Sequence, residues 1–415
     1  MRFVFWHHDV HGPISLEDLW SGQHQYGGSV ARLRLLFWLA ELGHDVRLTG
    51  NVRSGSFRGV SAYAGPESVQ QAVLNDTKEP SILVLNDAPA DSQWDSVKHL
   101  PNVARIYWAG VQFPFKWLDR VRDQSLRRIV CVSRYHRDLY RVYPGFNHVE
   151  YTYSGVDLDV IDQVRPSIFA QPTVLSVSVP RHTKGFHNTL EAWKYVHRAM
   201  PNARLRVCGA AAMHDPNAKV GRTGVLEAEM EAAFPEFFSN PRATCQQFGI
   251  DLMGARSLEA VYSDLKAADV VVVNTNWVGS FETYCRSAVE AQVAGIPVVG
   301  AKRGALPEVV QDGVTGLLVD QPNAVSLGQA VVKLLRDREL RQRMGNAARD
   351  WARPMAHYSL LAQEWEAIAR RASSGERAPV EHFQPNDVLR GLGYGQARLW
   401  AKRQYRQLSK GGRDT

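Results

Sequence analysis

Residues 280–320 read SFETYCRSAVEAQVAGIPVVGAKRGALPEVVQDGVTGLLVD. Arg286–Ala294 has the spacing of a helix, and Pro297–Gly300 and Leu317–Asp320 have the length and apolar character of strands. Glu282 stands just before the helix and Glu290 eight positions further on. At about 1.5 Å per residue the two carboxylates lie roughly 12 Å apart along the axis. That is too far to share one proton or one small metal ion, but it suits the two ends of an extended polar ligand. Between them the helix start offers unpaired N–H groups that favour phosphate. Carboxylate, helix start and carboxylate suit a sugar, a diphosphate and a ribose. Two unrelated helix carboxylates would show the same spacing, so spacing alone does not decide.

Outward from this stretch, short apolar runs alternate with amphipathic ones. Strands are expected at Arg2–Trp6, Asp45–Thr49, Ser81–Leu85 and Ile129–Ser133. A second series has strands at Thr173–Val179, Arg204–Cys208 and Val270–Asn274, and helices at Phe186–Met200 and Leu258–Lys266. One long helix is expected over Ser29–Leu42, closed by Gly43. Strand–helix alternation builds parallel sheets covered by helices on both faces. Two such series predict an α/β chain of two Rossmann-like domains, joined near Asp157–Pro172, with ligands bound in the cleft between them at the carboxyl ends of the strands. The expected boundaries are 1–165, 166–355, a helix over 356–372 packing back on the first domain, and a linker and tail over 373–415.

The stretch also resembles the donor-binding region of the retaining glycosyltransferases of family 4, which have the GT-B fold. The family's paired glutamates match Glu282 and Glu290. Its "GxPVV" strand matches Gly295-Ile296-Pro297-Val298-Val299, its "G…PE" turn Gly304 with Pro307-Glu308, and its "DGxxG" turn Asp312-Gly313 with Gly316. Weaker landmarks are Gly27-Gly28 before a helix, Cys131-Val132-Ser133, Ser154-Gly155-Val156-Asp157 and Lys184-Gly185. The resemblance implies a glycosyltransferase that uses a nucleotide-sugar donor, retains configuration and needs no metal or other cofactor. It implies that Glu282 meets the donor sugar and Glu290 the ribose. Lys184 would neutralise the leaving diphosphate, because charge builds there as the bond breaks. Arg181 is the nearest candidate for the family's accompanying arginine, closer to the lysine than usual. Gly27 and Gly28 would let backbone approach the phosphates. Thr283, Tyr284 and Cys285 lie within the donor segment, and Thr283 and Cys285 stand where the family often has glycine. No histidine ends the strand near Ile106–Gly110. Trp108 is expected in its place, stacking on a sugar face. His7 and His8 are expected on the acceptor side.

Composition sets outer limits. The chain has 415 residues, 49 Lys and Arg against 42 Asp and Glu, and 45% hydrophobic residues. That is ordinary globular composition. No run is long and apolar enough to span a membrane, and Phe3–Trp6 is too short for a signal-peptide core. Four cysteines without a CxxC pair argue against a disulfide framework or a zinc site and for a reducing cytoplasm. Over residues 388–415, seven basic residues face one acidic residue. Arg398, Lys402, Arg406 and Lys410 share one helix face, a pattern suited to docking on the protein's own body or to peripheral contact with an anionic inner membrane surface. Lys116–Arg141 is a second basic stretch. Nothing resembles a base-reading motif, so nucleic acid is not the expected partner. A nucleotide-sugar epimerase and an inactive binding module of the same fold are the alternatives.

Overall fold

The computed structural model describes residues 1–7, 12–22, 28–65, 68–73, 80–213, 217–278, 282–320 and 323–379. The first series of strands is β1 (Arg2–His7), β2 (Asp45–Gly50), β3 (Gly55–Phe57), β4 (Val60–Ala64), β5 (Ser81–Asn86), β6 (Val103–Ala109), β7 (Arg128–Cys131) and β8 (Val149–Tyr151). They form one eight-stranded sheet in the order β3-β4-β2-β1-β5-β6-β7-β8. Every pairing is parallel except β3 with β4. The second series is β9 (Thr173–Val177), β10 (Arg204–Cys208), β11 (Ile250–Gly254), β12 (Val270–Val273), β13 (Val298–Ala301) and β14 (Gly316–Val319). These give a wholly parallel sheet, β11-β10-β9-β12-β13-β14. The fold class read from the sequence is therefore present: two doubly wound α/β units.

The central strands are legible because helices cover both faces. All six residues of β5 and all four valines of β12 are buried, so they read as continuous apolar runs rather than alternating ones. The segment expected to join the two domains carries a short helix, Leu158–Gln163. Lys266 Nζ donates to the carbonyls of Ile161, Asp162 and Val164 around that helix end, and ties it to the second unit.

The long helix expected over Ser29–Leu42 is two helices, Gly28–Leu33 and Leu35–Glu41. The break has a tertiary cause. The Tyr358 hydroxyl donates to the Ala31 carbonyl at 2.9 Å, and Arg34 N–H donates to the same oxygen at 3.3 Å. That carbonyl would otherwise serve the amide four residues on. Arg34 then leaves the helix surface to pair with buried Asp157 at 2.6 Å and to donate to the Leu19 and Trp20 carbonyls.

The last helix among the described residues, Tyr358–Ser374, crosses to the first sheet. Its Trp365 packs on Trp108, with ring centroids 4.5 Å apart, and on Phe5 at 6.1 Å. Its Arg371 pairs with Glu150 on the edge strand β8. Among the described residues no helix is long and apolar enough to cross a membrane. The basic tail pattern from residue 388 on lies outside the described residues.

Candidate active site

In the second sheet the direction of strand addition reverses between β9 and β12. In open α/β sheets ligands bind beyond the carboxyl ends of the strands at such a switch point. The chain leaving β9 forms a tight turn, His182–Lys184, ended by Gly185. The chain leaving β12 begins with Asn274, whose backbone is in a left-handed conformation at φ 28. The two loops converge on one carboxylate. Glu282 Oε2 accepts from Lys184 Nζ at 2.7 Å and from Asn274 Nδ2 at 2.9 Å. Burial pushes the Glu282 carboxyl up, but the Lys184 ammonium and these hydrogen bonds outweigh burial and hold it below the ordinary value. Burial pulls Lys184 down and Glu282 more than restores it, so both groups are ionised at neutral pH. Lys184 keeps 42% of its side chain exposed. An ammonium has three donors, so the others remain available to a ligand.

The glycines of this region are there for space. Gly304 has φ +62, and a Cβ on it would lie 2.5 Å from the Glu282 carbonyl oxygen. The turn it makes lets Ala305 N–H donate to that carbonyl at 2.9 Å, fixing the backbone under the carboxylate.

The residues after Glu282 face the first domain. Thr283 Oγ1 donates to the Gly110 carbonyl at 2.9 Å, and Ser133 Oγ donates to the Thr283 carbonyl at 2.5 Å. The Tyr284 hydroxyl donates to the Ser154 carbonyl at 3.0 Å. Cys285 opens the helix Arg286–Val293 at φ 61, a conformation that suits glycine, and burial pushes its thiol up to about 12. All three residues are buried, with the Thr283 and Tyr284 hydroxyls engaged across the domain boundary.

Glu308, from the "PE" turn, completes this boundary. Its carboxylate accepts from the Arg134 and Tyr135 N–H groups, both at 2.8 Å, and from the Tyr153 hydroxyl at 2.9 Å. It thereby spans from the second domain to the start of a first-domain helix. Replacing Glu308 by alanine strips a charged partner from three donors and is expected to destabilise the protein by about 2 kcal/mol. Thermal melting against wild type checks it, and an unchanged melting point would refute the clamp. The pH dependence has a definite sign. Burial raises the Glu308 carboxyl above its ordinary value despite the three donors. The part of its contribution that depends on ionisation is therefore fullest below the ordinary carboxylate value and is lost as pH rises through the raised one, while the three hydrogen bonds remain. The stability advantage over Glu308→Gln should shrink over that interval.

The remaining expected residues are placed as follows. Glu290 is buried, and its carboxylate accepts from Arg286 Nε at 2.7 Å, one helical turn back. Arg181 pairs with Glu227 at 3.1 Å and donates to the Ala211 carbonyl, beyond the end of β10, at 2.6 Å. Gly28 starts the helix Gly28–Leu33 with open space where a Cβ would stand. His7 is buried at the end of β1. His8 and Gly27 lie outside the described residues. Trp108 is corrected: it is only 2% exposed, wedged between Phe5 and Trp365, and offers no ring face to a sugar. No group of three or more His, Cys, Asp or Glu among the described residues is arranged to hold a metal ion. Asn274 and the spanning role of Glu308 were not read from the sequence. An asparagine after an all-valine strand was the available signal for the first, since asparagine tolerates left-handed backbone.

Residues 161–351, which contain the second sheet, match the family model described as "Glycosyl transferases group 1". A D-inositol 3-phosphate glycosyltransferase of Corynebacterium diphtheriae is 30% identical over 221 residues, 51% of this chain and 47% of the relative. The chain thus spans about half the length of that curated relative. Among solved structures, a sucrose-phosphate synthase from Thermosynechococcus elongatus superposes with a TM-score of 0.66 at 16% identity, over 91% of this chain and 100% of that one. HepE of Anabaena, in complex with UDP and glucose, gives a TM-score of 0.62 at 14% identity, over 89% and 99%. The chain therefore has the two-domain GT-B fold of glycosyltransferases, and its residues 161–351 carry the match to glycosyl transferases group 1.

Proposed function

We propose that the protein transfers a sugar from a nucleotide-sugar donor to a hydroxyl of an acceptor, with retention of configuration and without a metal. The observation that carries this reading is the convergence of Lys184, Asn274 and Glu282 at the switch point of the second sheet, beside the start of the helix Arg286–Val293. The fixed Glu282 carboxylate is an acceptor-only group suited to sugar hydroxyls. The Lys184 ammonium stabilises negative charge as the nucleoside diphosphate departs. Glu290, further along the same helix, is assigned to the ribose, with Arg286 as its neighbour. Holding donor and acceptor in a cleft closed by Glu308 and Thr283 supplies orientation. The leaving phosphate takes the acceptor proton, so no protein base is required. Because the C. diphtheriae relative is a D-inositol 3-phosphate glycosyltransferase, phosphorylated inositols are the first acceptors to try.

The test is thermal melting with UDP, GDP, ADP, CDP and dTDP at millimolar concentration, followed by incubation of the matching nucleotide sugars with D-inositol 3-phosphate. One nucleotide should raise the melting point by mass action. The Glu290→Gln variant should bind it about 10- to 100-fold more weakly, the range for losing a hydrogen bond to a charged group. A product whose anomeric configuration matches the donor establishes retention. Conversion of the donor with no acceptor present would instead make it an epimerase, and no shift with any nucleotide would make it a binding module.

A further inference from the structure

The first sheet has a switch point of its own, between β1 and β5. The residue just past β5 is Asp87, and its backbone is left-handed, at φ 70. Strained backbone of this kind persists only where surrounding structure enforces it, and it collects at functional sites. Here the enforcing contacts are visible. Asp87 Oδ1 accepts from the Gly110 N–H at 3.1 Å, and Asp87 Oδ2 pairs with Arg32 Nη2 at 2.7 Å. Arg32 is held in turn. It is 4% exposed, donates through Nε and Nη2 to Asn86 Oδ1 at 3.2 and 2.9 Å, and lies 5.3 Å from the Trp108 ring centroid. Gly110 leaves the necessary room: a Cβ there would lie 1.7 Å from Arg32 Nη1.

The carboxylate is nevertheless open. Asp87 keeps 34% of its side chain exposed, whereas its cation is buried. Its position is set by a short chain of bonds across the cleft. Gly110 donates to Asp87 and accepts from Thr283 Oγ1, and Thr283 follows Glu282. Two fixed carboxylates thus stand on opposite walls, one in each domain, each at the switch point of its sheet. A carboxylate has about four lone-pair sites, and the Gly110 and Arg32 contacts occupy one on each Asp87 oxygen. It can still accept from further donors, and the hydroxyls of a sugar acceptor are of that kind.

Resting on the transferase reading above, we propose that Asp87 is the acceptor-binding carboxylate, and that it recognises the hydroxyl groups of a polyol. Arg32 is a positioning residue that fixes its orientation and balances its charge. A counterion for Arg32 alone would need neither the strained backbone nor the exposure.

The experiment loads the full chain with whichever nucleoside diphosphate raises its melting point, then titrates myo-inositol, glycerol and glucose by calorimetry. Wild type should bind at least one of the three. Asp87→Asn keeps a residue that tolerates left-handed backbone, together with an oxygen for the Gly110 N–H. Its polyol affinity should fall at least about tenfold, while the nucleotide-induced shift is unchanged. The double variant Asp87→Asn with Arg32→Gln restores charge balance. It should recover any melting point lost in the single variant without recovering polyol binding. Equal polyol affinity in wild type and Asp87→Asn overturns the proposal. So does the absence of polyol binding to nucleotide-loaded wild type, or recovery of binding in the double variant. Failure of every nucleotide to bind wild type would overturn the transferase reading instead.

Discussion

Replacing Lys184 by alanine is expected to lower kcat by about 10²–10³-fold, the range for removing one preorganised charge-stabilising group. Nucleotide-sugar affinity should change far less, because the ammonium matters most when the diphosphate gains charge as the bond breaks. The substitution acts on its neighbour as well. Lys184 is the main reason that the Glu282 carboxyl sits below its ordinary value against the effect of burial. Without the ammonium, burial pushes Glu282 up against the remaining Asn274 side-chain and Cys285 backbone donors. The kcat–pH profile of the variant should therefore show a carboxyl titrating higher than in wild type. Steady-state kinetics with the donor identified by melting, together with calorimetry for affinity, decides the matter. A loss wholly in affinity, with kcat unchanged, would remove Lys184 from the transition state.

Gly185→Ala should cost more stability than its size suggests. Gly185 has φ +78, and a Cβ on it would lie 2.3 Å from the Thr275 carbonyl carbon and 2.4 Å from the Asn276 amide nitrogen. Both are backbone atoms, so no side chain can swing aside. The left-handed conformation costs about 1 kcal/mol for alanine, and overpacking adds about 1–3 kcal/mol. Together they predict a loss of about 2–4 kcal/mol. The strain also reaches the chemistry. The Thr275 hydroxyl donates to the Gly185 carbonyl at 2.5 Å, and Asn188 Nδ2 donates to the Thr275 carbonyl at 2.8 Å. Pushing the two loops apart separates Lys184 from Asn274, whose side chains both donate to Glu282. Denaturant unfolding and kcat should therefore both respond. Full activity with unchanged stability would show that the loops are not in fixed contact.

These two positions were readable for different reasons. Lys184-Gly185 and Glu282 stood out through their resemblance to a family, in a sequence whose buried parallel strands show as apolar runs. The Val270–Val273 strand needs no partner information, since four valines in a row fit a strand covered on both faces. The sites that escaped the sequence depend on a partner far along the chain. The break after Leu33 depends on a hydroxyl from Tyr358, 327 positions beyond its acceptor Ala31. Trp108 was expected at a sugar face because it stands where the resembled family has a strand-end histidine, and nothing near it in sequence announces Trp365, which buries it. Glu308 reads as part of a turn motif, yet its carboxylate belongs to a helix 174 positions earlier.

The sequence by itself determined two doubly wound units and the charged residues beside their strands, because strand burial and turn chemistry are local. Tertiary structure decided which of those charges meet. Lys184 and Glu282 are 98 positions apart yet share a hydrogen bond. Asp87 reaches Thr283 only through Gly110. The physical reason is that a cleft between two sheets is lined by loops from both. The distance between side chains there is set by which strands lie side by side, as β9 and β12 do, and by how the two sheets pack, neither of which a single stretch of chain encodes.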